Sequence, residues 1–440
     1  MKYRRFIIRN YKAIENVEVN LTRNVMPLIG VNESGKTSIL QGILAFDKDK
    51  DHVLDGVHVL AKNKYLTKQN PCEIIAGVLI EDIEEFESIG KAISLDMNSP
   101  LYSWLKNKVE HNEPTDIIRD YDIEKDKFSN KYSLYNVPKD LENDKKEAAL
   151  IREITKRLPN ILYFDDFSDR VPSEIEFNED LKFSRRKDRE WQEIVSEIFA
   201  RAIGDFSLSD FVDQRDEDER NNFLSDVTDV LNKEIVDEWK KLKAAFSNIS
   251  EETSELELKI IYENINEKHT FKFKVVDSEN SGRGRHFNVS ERSKGFQWFF
   301  NFIMKLKFNP KYTIHPENAI YLLDEPGSYL HASAQTELLK KLCSIGENNT
   351  ILYCTHSQYL LDPDIINIAG IKIVTKENSK IEMCDYGDST VQRSLGAFSA
   401  LNDALHLKFG FNIDRLKRCI LTEGIVDYYE FKMFLDLNKV

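Results

Sequence analysis

Cysteine is scarce in this chain, and the five present, Cys72, Cys343, Cys354, Cys384 and Cys419, never approach a C-x-x-C spacing. That argues against a zinc site or a disulfide framework and fits a reducing cytoplasm. No run of about 18 apolar residues occurs, so no membrane-spanning helix is expected and no membrane partner. The opening stretch, Met1-Lys2-Tyr3-Arg4-Arg5-Phe6-Ile7-Ile8, lacks the long apolar run and small-residue cleavage site of a secretory signal and reads as a strand. Positive charge is in deficit too, since 61 basic against 75 acidic residues leave a net charge of −14. Bulk charge therefore offers no general attraction for nucleic acid, and a contact with DNA needs a local basic patch or divalent ions held by carboxylates. Internal repeats and low-complexity tracts are absent. So is any long heptad run, which argues against a coiled-coil arm.

What is present is enough for about two to three folded domains: 440 residues, 41% hydrophobic and 31% charged. Their arrangement centres on Gly30-Val31-Asn32-Glu33-Ser34-Gly35-Lys36-Thr37, which satisfies G-x-x-x-x-G-K-[ST] at every fixed position. An apolar stretch, 25–29, precedes it, and residues 38–46 follow with apolar side chains at helical spacing. In that strand–loop–helix context the glycines let backbone N–H groups converge on an anion at a helix N-terminus. Lys36 would reach the β- and γ-phosphates of a nucleotide, and the Thr37 hydroxyl would ligate Mg²⁺. The candidate nucleotide contacts are Gly30, Asn32, Glu33, Ser34, Gly35, Lys36, Thr37 and Ser38.

Downstream, β segments are expected at 73–80 and 161–164, with a helix near 145–157. Residues 176–254 read as polar and helical. Val227, Leu231, Ile235, Trp239, Leu242 and Phe246 share one face at steps of three and four, an inserted helical subdomain and a candidate dimer element. Strands return at 256–262 and 270–276, and Ser290 to Trp298 opens a helix running to about 307. The strand 319–323 ends in Asp324-Glu325-Pro326, a helix covers 334–342, and the strand 350–354 runs into Thr355-His356-Ser357. Strands alternating with helices predict an α/β fold with a largely parallel sheet. Ligands in such sheets sit at the carboxyl ends of the strands. Asp324 would share Mg²⁺ with Thr37 there, and Glu325 would polarise the attacking water.

The order phosphate loop, serine-glycine helix start, acidic strand end and histidine strand end resembles that of ATP-binding-cassette ATPases, of the SMC and OLD (overcoming lysogenization defect) kind. In that resemblance Leu322 to His331 corresponds to the Walker B strand and D-loop, and His356 to the switch histidine. Arg292-Ser293-Lys294-Gly295-Phe296-Gln297 stands where the family places its signature helix, with Lys294 in place of the first glycine of L-S-G-G-Q. The resemblance implies head-to-head association, with Ser293, Lys294 and Gly295 of one copy capping the γ-phosphate held by another. Lys294 then either adds positive charge in trans or is a solvated lysine at a helix start. The family's Q-loop glutamine has no clear counterpart; Asp165 and Asp166 stand nearest its place.

Arg418 to Tyr429 is an apolar strand followed by Glu423-Gly424-x-x-Asp427 and an amphipathic helix, which resembles the opening of a Toprim domain. The resemblance makes Glu423 a metal ligand or general acid/base in phosphodiester chemistry with Mg²⁺ or Mn²⁺. A Toprim site also uses a downstream Asp-x-Asp, which the residues to Val440 do not include, so the segment is either a piece of a longer Toprim domain or a vestige. The expected division is therefore an ABC-type ATPase domain at 1–175 and 255–416, the helical insertion at 176–254, and a Toprim start at 417–440. The leading expectation is a cytoplasmic ATPase of the OLD type, with Lys36, Glu325 and His356 serving hydrolysis. Nucleotide state would gate DNA cleavage, as in anti-phage defence. The alternative is a nucleotide-switched scaffold that sequesters a separate effector protein.

Overall fold

The computed structural model describes residues 1–49, 71–122, 127–138, 141, 146–165, 170–183, 189–204, 207–244, 255–265, 268–278, 285–309, 318–386 and 429. A hairpin of β1 (Lys2–Tyr11) and β2 (Ile14–Asn20) leads to β3 (Val25–Ile29), the phosphate loop and α1 (Lys36–Leu44). Then come β4 (Glu73–Leu79), α2 (Ile83–Ala92), α3 (Pro100–Glu110), β5 (Thr115–Asp122), the short β6 (Lys127–Phe128) and β7 (Ser133–Leu134), α4 (Glu147–Arg157) and β8 (Ile161–Asp165). The middle of the chain holds β9 (Ile175–Phe177), α5 (Arg189–Ile203), α6 (Leu208–Asp213), α7 (Glu217–Leu231), α8 (Asp237–Ala244), β10 (Glu255–Ile265) and β11 (Lys268–Ser278). It closes with β12 (Arg285–Asn288), α9 (Lys294–Phe308), β13 (Ile320–Asp324), α10 (Ala332–Gly346), β14 (Thr350–Cys354), β15 (Lys372–Glu377) and β16 (Lys380–Asp385).

The described residues form three sheets. The central one has the order β16-β15-β3-β14-β13-β8, parallel throughout except for the edge strand β16. A second, antiparallel sheet joins β2, β1, β4 and β5, and a third joins β10, β11 and β12 with β9. The α/β class is the one expected from sequence, but parallel pairing is confined to the central sheet. In the flanking sheets β1–β2 and β10–β11 are joined by short hairpin turns, which no parallel pair permits, while β1–β4 and β4–β5 pair antiparallel across longer connections.

Alternation along the central strands divides the core between the two sheet faces. Leu162, Phe164, Tyr321, Leu323, Ile351 and Tyr353 face one layer with α5, α7, α9 and α10. Ile161, Ile320, Leu322 and Leu352 face the other, with α1 and the second sheet. The helical stripe at 227–239 is spent inside the chain. Val227, Leu231 and Ile235 are buried, and the Trp239 ring lies 5.2 Å from Phe296 and 5.0 Å from Phe299 of α9. One π-turn, Asn232–Val236, separates α7 from α8 and lets the Asn232 amide exchange two hydrogen bonds with Leu258 of β10. That stripe is thus no free docking face as far as Trp239; the side chains of Leu242 and Phe246 lie outside the described residues. Ile194 of α5 is fully buried in this layer. Ile194→Val is expected to lower stability by about 1 kcal/mol, read as a shift of the urea midpoint at constant slope.

Candidate active site

The loop between β3 and α1 turns through two left-handed residues, Glu33 (φ 62°) and Gly35 (φ 105°). Both glycines are sterically fixed. A Cβ on Gly30 would fall 2.2 Å from the Val374 carbonyl, and one on Gly35 would fall 2.2 Å from Ile381 Cδ1. Ile381 is seated there because its N–H donates to the Ala13 carbonyl at 3.2 Å, pinning the β15–β16 hairpin to the β1–β2 turn above the loop. Lys36 is buried, and its Nζ donates to the carbonyls of Gly30 (3.0 Å) and Val31 (3.3 Å). Burial lowers its pKa, while Cys354, Glu325 and Asp324 pull it back up.

These residues suit a nucleotide triphosphate. The Ser34 hydroxyl is 1% exposed and has no hydrogen-bond partner, a donor held ready at a helix N-terminus whose first turn carries no acid. They suit Mg²⁺ as well. Thr37 Oγ1 donates to Asp324 Oδ1 at 3.1 Å, so a hydroxyl from the first turn of α1 and a carboxylate at the end of β13 already converge. Burial raises the Asp324 pKa, the Thr37 bond opposes it, and neighbouring Asp165 raises it further; a cation would relieve all of that strain.

Parallel register explains the convergence. Asp324 pairs with Cys354 on one side and Asp165 on the other, so β13, β14 and β8 end at the same edge as β3. Glu325 follows immediately at φ 50°, a conformation uncommon outside glycine and one that turns its carboxylate out of the strand direction. The backbone N–H of His356 donates to Glu325 Oε2 at 3.2 Å. His356 Nε2 lies 2.9 Å from Lys36 Nζ and 3.4 Å from Glu325 Oε1. An ammonium can only donate, so Nε2 accepts from Lys36 and the imidazole is neutral. Burial, and then the Lys36 charge, lower the His356 pKa in agreement. The Glu325 contact at Nε2 is therefore no ion pair, and the His356 backbone N–H is one donor that holds that carboxylate.

Asn32, Glu33, Gly35, Lys36, Thr37 and Ser38 line a cleft of about 690 Å³ together with Glu325 and His356. Gly30 and Ser34, by contrast, are buried and do not line it. Ser293, Lys294 and Gly295 do not line it. Ser293 caps α9, its Oγ accepting the Phe296 N–H at 3.3 Å, and Lys294 Nζ sits 4.8 Å from the Tyr329 ring centre. A Cβ on Gly295 would come within 3.1 Å of Leu330 Cδ2 and the Tyr329 carbonyl. Glu423 lies outside the described residues, as do Asp166 and all of the Toprim-like stretch except Tyr429.

Sequence reasoning missed part of the cleft wall. Lys12, Lys376, Ser379 and Ile381 close it from the two hairpin turns. One signal was available: Asn378-Ser379 between two alternating runs is a two-residue turn, and both residues adopt positive φ, 50° and 67°. Tyr163 was missed as well. Its hydroxyl approaches Asp324 Oδ2 at 3.5 Å from the strand next to β13.

Two relatives are similar in sequence. The endonuclease GajA of Bacillus cereus (strain VD045) is 25% identical over 450 residues, covering 98% of this chain and 68% of that protein. An uncharacterized protein of Methanocaldococcus jannaschii is 30% identical over 108 residues, covering 24% of this chain and 28% of its own length. Among solved structures, an SMC head bound to the C-winged helix domain of ScpA aligns with a TM-score of 0.47 at 11% identity, covering 89% of this chain and 100% of that one. The SMC head domain from Thermotoga maritima aligns at 0.39 and 11%, covering 88% and 100%. Among the described residues no helix is long and apolar enough to cross a membrane. The family profile described as the AAA ATPase domain matches residues 1–361, a span that holds the phosphate loop, both acidic residues and the histidine; the chain belongs to that family.

Proposed function

We propose that this protein binds and hydrolyses ATP between paired heads, and that its nucleotide state gates metal-dependent DNA cleavage by a Toprim-type site at Glu423. The observation that carries the reading is the meeting of Lys36, Thr37, Asp324, Glu325 and His356 at one sheet edge through hydrogen bonds and register. In this reading the loop N–H groups, the Ser34 hydroxyl and Lys36 hold the β- and γ-phosphates. Thr37 and Asp324 would hold Mg²⁺, which when bound would supply positive charge to offset that of the phosphates. Glu325 accepts a proton from the attacking water, and neutral His356 keeps the Lys36 ammonium aimed into the cleft. DNA as the substrate class is supported by the similarity to an endonuclease.

Pairing of heads is supported by what the cleft leaves out. Ser293 and Lys294 are exposed and do not line the cleft. Val31, Tyr329 and Tyr359 are exposed at 50%, 37% and 40% although large and apolar, and they flank the same strand ends. A second copy docked there would cover them and bring Ser293 to Gly295 onto the γ-phosphate, with Lys294 adding charge in trans.

Two measurements test the reading. Ser293→Arg should abolish ATP-dependent self-association in sedimentation velocity while changing ATP affinity by less than about threefold. Equal loss of both would mark a folding defect and remove the trans role. Plasmid cleavage with Mg²⁺ or Mn²⁺ should occur with the full-length gene product and be lost in Glu423→Ala. Equal cutting by the two would remove the Toprim assignment. ATP turnover without any cutting would favour a scaffold that works through a separate effector protein.

A further inference from the structure

Gln335, in the first turn of α10, is 7% exposed and yet carries an amide where an apolar side chain would pack without needing partners. Its Nε2 donates to the carbonyls of Gly327 at 3.0 Å and Leu330 at 3.2 Å. Its Oε1 accepts the Ser357 hydroxyl. Carbonyl oxygens only accept, so the amide orientation is fixed by its partners. Both amide hydrogens are used, and the buried group is satisfied only while two separate backbone segments stay in place.

Those segments are the two that flank the candidate catalytic carboxylate. Gly327 and Leu330 are the ends of the turn leaving Glu325, closed by the Leu330 N–H on the Gly327 carbonyl at 2.8 Å and the Ser328 N–H on the Glu325 carbonyl at 3.3 Å. Tyr329, inside this turn, touches Lys294 of the signature helix. Ser357 follows His356, which bonds both Lys36 and Glu325. One buried side chain therefore ties the loop facing the phosphates to the turn facing a second head.

We propose that Gln335 is a positioning residue that couples nucleotide contact at His356 to the geometry of the 327–330 turn, and through Tyr329 to the signature face. The chain of contacts runs His356, Ser357, Gln335, then Gly327 and Leu330. This coupling rests on the nucleotide site proposed above. Its energetic content is a shared hydrogen-bond network, so its members act non-additively.

The test is hydrogen–deuterium exchange of the 326–331 segment with and without MgATP, in the whole protein and in Ser357→Ala, Gln335→Leu and the double variant, beside ATP affinity and turnover. In the unsubstituted protein MgATP should slow exchange of this segment by about tenfold, the equivalent of one hydrogen bond. Ser357→Ala should remove that protection while keeping ATP affinity within about threefold, and the double variant should be no worse than Gln335→Leu alone. If Gln335→Leu does not fold, Ser357→Ala still decides, because it removes one donor and leaves both carbonyls paired. Unchanged protection in Ser357→Ala, or no protection by MgATP in the unsubstituted protein, overturns the coupling. Protection that is present without any ATP turnover would instead overturn the hydrolysis reading and leave the coupling standing.

Discussion

Lys36→Ala is expected to lower ATP affinity by about a hundredfold or more, with no loss of fold stability. The ammonium is the only side-chain cation bonded to the loop carbonyls of Gly30 and Val31 among the described contacts. A charge-assisted bond to phosphate in such a partly closed site contributes about 1.5–3 kcal/mol, and a lysine there makes more than one. Stability moves the other way. Burial lowers the Lys36 pKa, so the folded state already disfavours its charge, and removing the cation relieves that cost. Two carbonyls and His356 lose a donor, but Val31 is 50% exposed and His356 lines the cleft, so water can replace it at two of the three. Calorimetric titration with ATP and a thermal melt on the same sample separate the two effects. Unchanged affinity would remove the phosphate-loop assignment, and a collapse of the melt would make the lysine structural.

That contrast explains how much of the site was legible in the sequence. The phosphate loop is contiguous, and each of its constraints is local: a left-handed Gly35, a tight turn, a helix start. The Asp324-Glu325 pair could be placed because an apolar strand must end somewhere and ligands gather at carboxyl ends. The same reasoning reached a largely parallel sheet but neither its strand order nor the two antiparallel sheets, whose pairing partners are set by tertiary packing. Ile381 could not have been found. Its role comes from one hydrogen bond to Ala13, more than three hundred residues earlier, which lowers a hairpin onto Gly35. Tyr163 was hidden because an apolar strand with one tyrosine reads as core, and only the register against Leu322 aims its hydroxyl toward Asp324. Gln335 was hidden for the opposite reason. A polar residue in a helix's first turn usually faces solvent, and here the chain folds back over it.

The division of labour between Asp324 and Glu325 gives the second large effect. Asp324 ends β13, and Glu325 follows it at φ 50°, outside the strand conformation. Asp324 turns toward Thr37 and Tyr163, in the layer beside α1. Glu325 turns toward the His356 backbone, at the cleft. Glu325→Gln keeps the size of the side chain and an oxygen that can still accept the His356 N–H, so the strand end and the Lys36 contact should persist. It removes the capacity to take a proton. Turnover of ATP is therefore expected to fall by about 10²- to 10⁴-fold, the range for loss of a positioned general base. ATP affinity should stay within about threefold, and ATP-dependent association of heads should become longer-lived because the bound state is no longer consumed. Asp324→Asn separates the two roles, since it should raise the Mg²⁺ concentration needed for half-maximal binding of ATP, an effect Glu325→Gln should lack. Single-turnover hydrolysis and a Mg²⁺ titration of nucleotide binding distinguish them. If Glu325→Gln turns over ATP at the original rate, the proton acceptor lies elsewhere, and the strained backbone at residue 325 would have to be explained by the turn that follows it.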